Sequence, residues 1–436
     1  MGVILKKRSI LVIIAVICVV TTIIVSSQSR PQSHASELAE ASTPSLKISI
    51  NSLITNDMSD LEQTKRFDKD IEAFMRRWEF TGASFALMRN DSLIYAKGYG
   101  FADKESSIEC EVNHVFRIAS ASKLITATAI MKLAEEGKLS LTDQVFGEEG
   151  ILCDSIFLDL KYSNLKQITV DHLLRHTSGF SSPHGDPAFA NQTISRVMDK
   201  PLPLSVDDMV VYATQNRLRS RPGGSYDYSN LGYIILGRII EQVTGVSYEE
   251  YVQNSILAPI GCYDMFIGRN FSHHKAPNEV RYYEVKEAGP VEAYDGSGVM
   301  TMKSDGGNNV TLLSSAGGWV ASPVELLRFV AAVDGCGSKE HILSDKTVDI
   351  MTNKKYGRSI GWASTSKGVW LRSGSMAGTS ALIKKQSNGY TWVFVVNNSA
   401  WIGPNISKYI SSRITAAISK VKEWPQRDLF EVEDNL

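Results

Sequence analysis

The chain has 436 residues, with 46 Lys and Arg against 47 Asp and Glu for a formal net charge of −1, and 43% of its residues are hydrophobic. That is the composition of an ordinary globular protein long enough to bury a sizeable core. The near-neutral balance lacks the basic field that non-specific nucleic-acid binding needs, and no basic stripe, zinc finger or RNA-binding signature restores it, so no nucleic-acid partner is expected.

In chain order, Lys6, Lys7 and Arg8 precede the apolar run SILVIIAVICVVTTIIV, and a polar Ser-rich stretch follows from Ser26. Basic flank, apolar run and polar exit predict an export segment over residues 1–30, either a cleaved signal peptide or a retained membrane anchor. Ser33-His34-Ala35 is a passable cleavage site. If the segment is retained, its basic side stays in the cytoplasm and everything after residue 30 faces outward. Residues 31–62, rich in Ser, Thr and Ala without a sustained period, read as a linker. A globular domain is expected over 63–425, and 426–436 as a C-terminal tail.

LEQTKRFDKDIEAFMRRW has helical spacing, and TGASFALMRNDSLIYAKGYGFAD reads as two strands joined at Asn90-Asp91. Helix-like segments SKLITATAIMKLAEEGKLS, VDHLLRHTSG and NLGYIILGRIIEQVTG fill the middle, separated by Gly and Pro loops. Near the end, GVWLRSGSMAGTSALIKKQSNGYTWVFVVNN supplies three strands with a turn at Ser387-Asn388-Gly389, and PNISKYISSRITAAISKV a helix. The predicted class is α+β: an antiparallel sheet from both chain ends, flanked by helices, with a mainly helical lobe inserted.

Ser120 and Lys123 form an SxxK pair at the start of a helix. Three residues along a helix share a face, so the amine can lie against the hydroxyl. Serine attacks well only when a neighbouring group takes its proton, and helix-start amides favour the negative charge that develops. Downstream, Tyr228-Ser229-Asn230 lies between the Gly-rich loop PGGSYD and an apolar helix. A tyrosine hydroxyl close to an ammonium has its pKa lowered towards the range useful for proton transfer, and Asn230 can hold the lysine and a substrate carbonyl. Each motif alone is weak, because helix caps favour Ser and Asn. No GxSxG surrounds a serine, which argues against an α/β-hydrolase elbow.

Cys110, Cys153, Cys262 and Cys336 are widely spread, and they fit either two disulfides or buried thiols; Cys18 sits in the apolar run without the preceding small residue expected of a lipid anchor. No Cys/His cluster suggests a metal. Asn191, Asn270 and Asn309 open glycosylation triplets that matter only in a eukaryotic secretory pathway.

With FRIASASK, ITVDHLLRHTSGF, PGGSYDYSNLGYIILGRIIEQVTG and SSAGGWVASPVELLRFV in that order, the sequence resembles the penicillin-recognising serine hydrolases of the class C β-lactamase, DD-peptidase and esterase type, over roughly residues 65 to 420. The resemblance implies the β-lactamase/transpeptidase-like fold, with the site between sheet and helical lobe. It implies Ser120 as the acylated residue, Lys123 and Tyr228 as proton carriers, and Asn230 in substrate binding, with no metal or organic cofactor. The third family motif, KTG or HxG on a strand, falls at Arg372-Ser373-Gly374, where Arg departs from Lys or His. Arg372 keeps a charge that can hold a carboxylate but does not readily release a proton. The amides of Ser375 and Ser120 would form the oxyanion hole, and His176 would pack behind the site instead of acting as a base.

The expected function is an exported serine hydrolase cleaving an ester or amide, such as a β-lactam, a D-amino-acid peptide or a small ester. A general esterase or peptidase-like activity ranks above a dedicated β-lactamase because of Arg372. The expected partner is a small-molecule or peptide substrate. A non-catalytic protein keeping the fold is the alternative, favoured by Arg372 and by the insertion-like stretch Arg281 to Asn309. The complete ordered set Ser120, Lys123, Tyr228 and Asn230 argues against it.

Overall fold

Strands Gly82–Arg89 and Ser92–Asp103 pair antiparallel across a two-residue turn in the computed structural model, which describes residues 48–180, 185–335 and 341–435. Asn90 and Asp91 both take positive φ, 48° and 66°, as the turn that best matches strand twist requires. The first strand pairs on its other side with Tyr390–Val396, so the two chain ends meet in the middle of one sheet. The order across it is Ile108–Glu109, Ser92–Asp103, Gly82–Arg89, Tyr390–Val396, Thr379–Lys385, Val369–Met376 and Ser364–Ser366, every pairing antiparallel.

The central strands read as continuous apolar runs because both of their faces are covered. Phe85, Leu87, Trp392 and Phe394 pack with Phe67 and Ile71 of helix Lys65–Trp78 and with Ile410 and Ile414 of helix Ile406–Lys420. Ala86, Met88, Val393 and Val395, one residue out of phase, face the larger core that holds Ile125, Leu326 and Phe329. Helix Ser122–Glu135 runs through that core, with every residue from Ser122 to Met131 buried. Its small Ala and Thr residues let neighbouring elements approach from all sides.

Two expected boundaries move. Residues 48–62 are part of the fold, with Ile50 and Ile54 buried in the large core and Ser49 donating to Glu325 Oε1 at 2.7 Å. They read as linker because their short 3-10 turns leave no helical or strand period. Leu429 and Phe430 of the expected tail are likewise buried, and Arg427 Nη1 donates to the Met58 carbonyl at 2.6 Å. The apolar run, Ser33-His34-Ala35, Cys18 and Cys336 lie outside the described residues. Cys110 and Cys153 carry free thiols, so the two-disulfide arrangement is not formed. Burial pushes the Cys110 thiol up to about 12. The three triplet asparagines are buried, and Asn270 and Asn309 accept from backbone amides of Val310 and Leu312, which makes them structural caps rather than glycan acceptors.

Candidate active site

Ser120 lies in the 3-10 turn Ala119–Ala121, which leads directly into helix Ser122–Glu135. Ala119 takes φ +47°, a left-handed conformation that costs a non-glycine residue energy and is held only where its surroundings dictate it. The surroundings here are strand Val369–Met376. A Cβ at Gly374 would stand 2.1 Å from the Ile118 carbonyl and 2.9 Å from the Ser120 amide, so only glycine lets the strand approach the turn.

Lys123 is completely buried, and an ammonium there needs all of its hydrogens satisfied. It donates to Asn230 Oδ1 at 2.6 Å, to the Ala316 carbonyl at 2.5 Å and to Ser120 Oγ at 3.4 Å. Burial pushes its pKa down, and the Arg372 charge adds to this, against the opposing pull of Tyr228 and Asp186. Asn230 opens helix Asn230–Thr244, and its Nδ2 donates to Asp186 Oδ2 at 2.5 Å. One side chain thus links the ammonium to a carboxylate.

Tyr228 donates to Ser120 Oγ at 2.8 Å. Its ring lies over Lys123 Nζ at 4.9 Å, and 41% of the residue is open to solvent. Partial burial of the hydroxyl alone would raise its pKa, but the Lys123 and Arg372 charges and the hydrogen bonds to Lys123 and Ser120 outweigh it, lowering the value to about 8. Beneath it, the His176 ring packs at 4.6 Å between centroids, tilted by 32°, and accepts from the Ser229 amide through Nδ1 at 3.2 Å. Burial, with the charges of Lys123, Arg372 and Arg358, pushes the imidazole down to about 2, so it is neutral and props Tyr228.

Arg372 is 4% exposed, and its Nε donates to the Ser120 carbonyl at 2.7 Å while Nη2 is buried without a hydrogen-bond partner. Ser120, Tyr228, Asn230, Arg372, Ser373, Gly374 and Ser375 all line one cavity of about 820 Å³, with Lys123 packed just behind it. The expected residues are therefore brought together. Three further participants were not anticipated: the Ala316 carbonyl, Asp186 and Arg358. A backbone carbonyl leaves no mark in the residue string. Asp186-Pro187 reads as an ordinary helix-start cap, and Arg358 as one more loop cation.

Comparison with known proteins identifies the family and the fold. The chain is 29% identical over 239 residues to protein flp of Staphylococcus aureus (strain N315), a match covering 55% of this chain and 44% of that protein. It therefore spans under half the length of that relative. PbpX of Bacillus subtilis (strain 168) is 26% identical over 342 residues, covering 77% of this chain and 76% of that protein. Among solved structures, D-amino acid amidase from Ochrobactrum anthropi SV3 shares the fold with a TM-score of 0.64 at 21% identity, over 83% of this chain and 100% of the amidase. The family model described as Beta-lactamase matches residues 67–417, and the chain belongs to that family of serine hydrolases.

Proposed function

We propose that this protein is an exported serine hydrolase that cleaves an ester or amide through an acyl-enzyme on Ser120. The observation that carries the reading is the 2.8 Å hydrogen bond between Tyr228 and Ser120 Oγ, with Lys123 Nζ 3.4 Å from the same oxygen. The Tyr228 pKa near 8 makes its phenolate accessible at neutral pH, held by the Lys123 charge, and as Ser120 Oγ attacks the carbonyl its proton passes to that phenolate, restoring the neutral tyrosine. The amides of Ser120 and Ser375 receive the oxyanion. The leaving group takes the proton, and water activated by the same pair then releases the acyl group.

The Ochrobactrum relative is named for amide hydrolysis on D-amino acids, which supports an amide or D-amino-acid peptide as substrate beside small esters. Arg372 in place of Lys or His favours an esterase or peptidase-like activity over a dedicated β-lactamase. Export rests on Lys6, Lys7 and Arg8 before the apolar run. Among the described residues no helix is long and apolar enough to cross a membrane. The function is tested by assaying nitrocefin, a short-chain nitrophenyl ester and a D-Ala-D-Ala peptide with the wild type and Ser120→Ala. Turnover of at least one, abolished in Ser120→Ala, is expected. Equal turnover by both proteins rejects the reading.

A further inference from the structure

The charged side chains lining the cavity in front of Ser120 are Lys354, Arg358 and Arg372, and no Asp or Glu lines it among the described residues. Asp186 sits behind Asn230, outside that lining. A cleft walled by charges of one sign focuses a field that draws the opposite charge. Arg372 is the inner of these cations and spends its Nε on the Ser120 carbonyl.

Arg358 is different. It is exposed, and its guanidinium carbon lies 3.9 Å from the centroid of the Tyr226 ring, which packs edge-on against His176 at 5.8 Å. Its main chain is fixed separately. Gly357 holds φ 111° and ψ −149°, a conformation open essentially to glycine alone, and so sets the direction of the chain into Arg358. Buried Arg175 then clamps the Arg358 carbonyl through Nη1 while its own Nε donates to Asp171 Oδ1 at 2.7 Å. A guanidinium held over an aromatic face by its carbon still has edge N–H groups to offer a carboxylate.

We propose that Arg358 is a specificity-determining residue that receives a carboxylate on the part of the substrate remote from the scissile bond, so that the enzyme favours carboxylate-bearing esters or amides over neutral ones of the same scaffold. The proposal rests on the acyl-transfer reading at Ser120. It departs from recognition by Arg372, which faces the nucleophile's own backbone.

The test compares 4-nitrophenyl hydrogen glutarate with its methyl ester, and the same pair built on adipate to vary the reach. Both esters of a pair lose nitrophenolate on acylating Ser120, so the ratio of their kcat/KM values isolates the remote charge. Arg358→Ala is expected to lower the acid-to-ester ratio of kcat/KM by about tenfold or more, with circular dichroism and Tm showing that the variant is folded. Arg358→Lys should fall between, and Arg358→Glu should favour the methyl ester. An acid-to-ester ratio unchanged by Arg358→Ala in both pairs overturns the proposal. So does an equal fall for acid and ester, which would mean that Arg358 acts only through Tyr226. A protein in which no ester acylates Ser120 rejects the hydrolase reading itself, a result distinct from both.

Discussion

Arg372 Nε donates to the carbonyl oxygen of Ser120 at 2.7 Å, tying the cation of the third strand motif to the backbone of the nucleophile. A group so committed, and 4% exposed, acts on the turn and on the field within the site before it acts on substrate. Its charge helps to hold the Tyr228 hydroxyl down at about 8.

Removing that charge should therefore move the pH profile. If Tyr228 must be deprotonated to act as base, activity rises with pH through the tyrosine pKa, and Arg372→Ala lets that pKa climb back towards its ordinary value near 10. The rising limb of kcat/KM against pH is expected to shift upward by about one unit for neutral substrates as well as carboxylated ones. An unmoved limb would mean that Arg372 does not set the field at Tyr228.

Tyr228→Phe keeps the ring on His176 and removes one hydroxyl from a residue that is 41% exposed. The expected outcome is a fall in kcat of roughly 10² to 10⁴, the usual range for a proton-transfer group, with Tm nearly unchanged. Thermal melting and initial rates on the same preparation check it. A collapse in Tm would make Tyr228 a structural hydroxyl.

Lys123→Ala should behave differently, because it strips the donor from Asn230 Oδ1 and from the Ala316 carbonyl in a buried setting. Unsatisfied buried acceptors cost about 1 to 3 kcal/mol each relative to satisfied ones. Rate and stability are both expected to drop, and chemical denaturation beside kinetics measures the two together. Near wild-type turnover would point to another base.

The clearest stability effect away from the site concerns Glu325, which accepts from Ser49, from the Tyr263 and Asp264 amides, and is fully buried. Burial outweighs those hydrogen bonds and raises its carboxyl from 4.5 to about 7. A folded-state pKa above the unfolded value means the folded protein binds the extra proton, so stability falls as pH rises from about 4.5 to about 7. Glu325→Gln should flatten that slope, whatever constant offset the amide introduces. Parallel pH dependences of Tm for the two proteins would contradict it.

Much of this arrangement could be read in the residue string, and the reasons are physical. The sheet from both chain ends was legible because Phe85, Leu87, Trp392 and Phe394 sit in β-rich runs bounded by the Asn90-Asp91 and Asn388-Gly389 turns. Ser120 with Lys123, and Tyr228 with Asn230, were legible because each pair has its spacing within one helix start. What joins the pairs was not. Lys123 meets Asn230 across 107 positions and Ala316 across 193, and Arg372 meets Ser120 across 252, separations that carry no local pattern. Ile50 and Phe430 were missed for a related reason, since single apolar side chains in short 3-10 turns bury themselves without a period.

The mechanism requires Ser120 to be the residue that becomes acylated, and one measurement addresses that directly. Intact mass followed by peptide mapping after treatment with a fluorophosphonate should show a single adduct located on Ser120 and lost in Ser120→Ala. Its formation should slow strongly in Tyr228→Phe, whose hydroxyl donates to Ser120 Oγ at 2.8 Å. An adduct on another serine with Ser120 unmodified, or labelling that persists undiminished in Ser120→Ala, would contradict it.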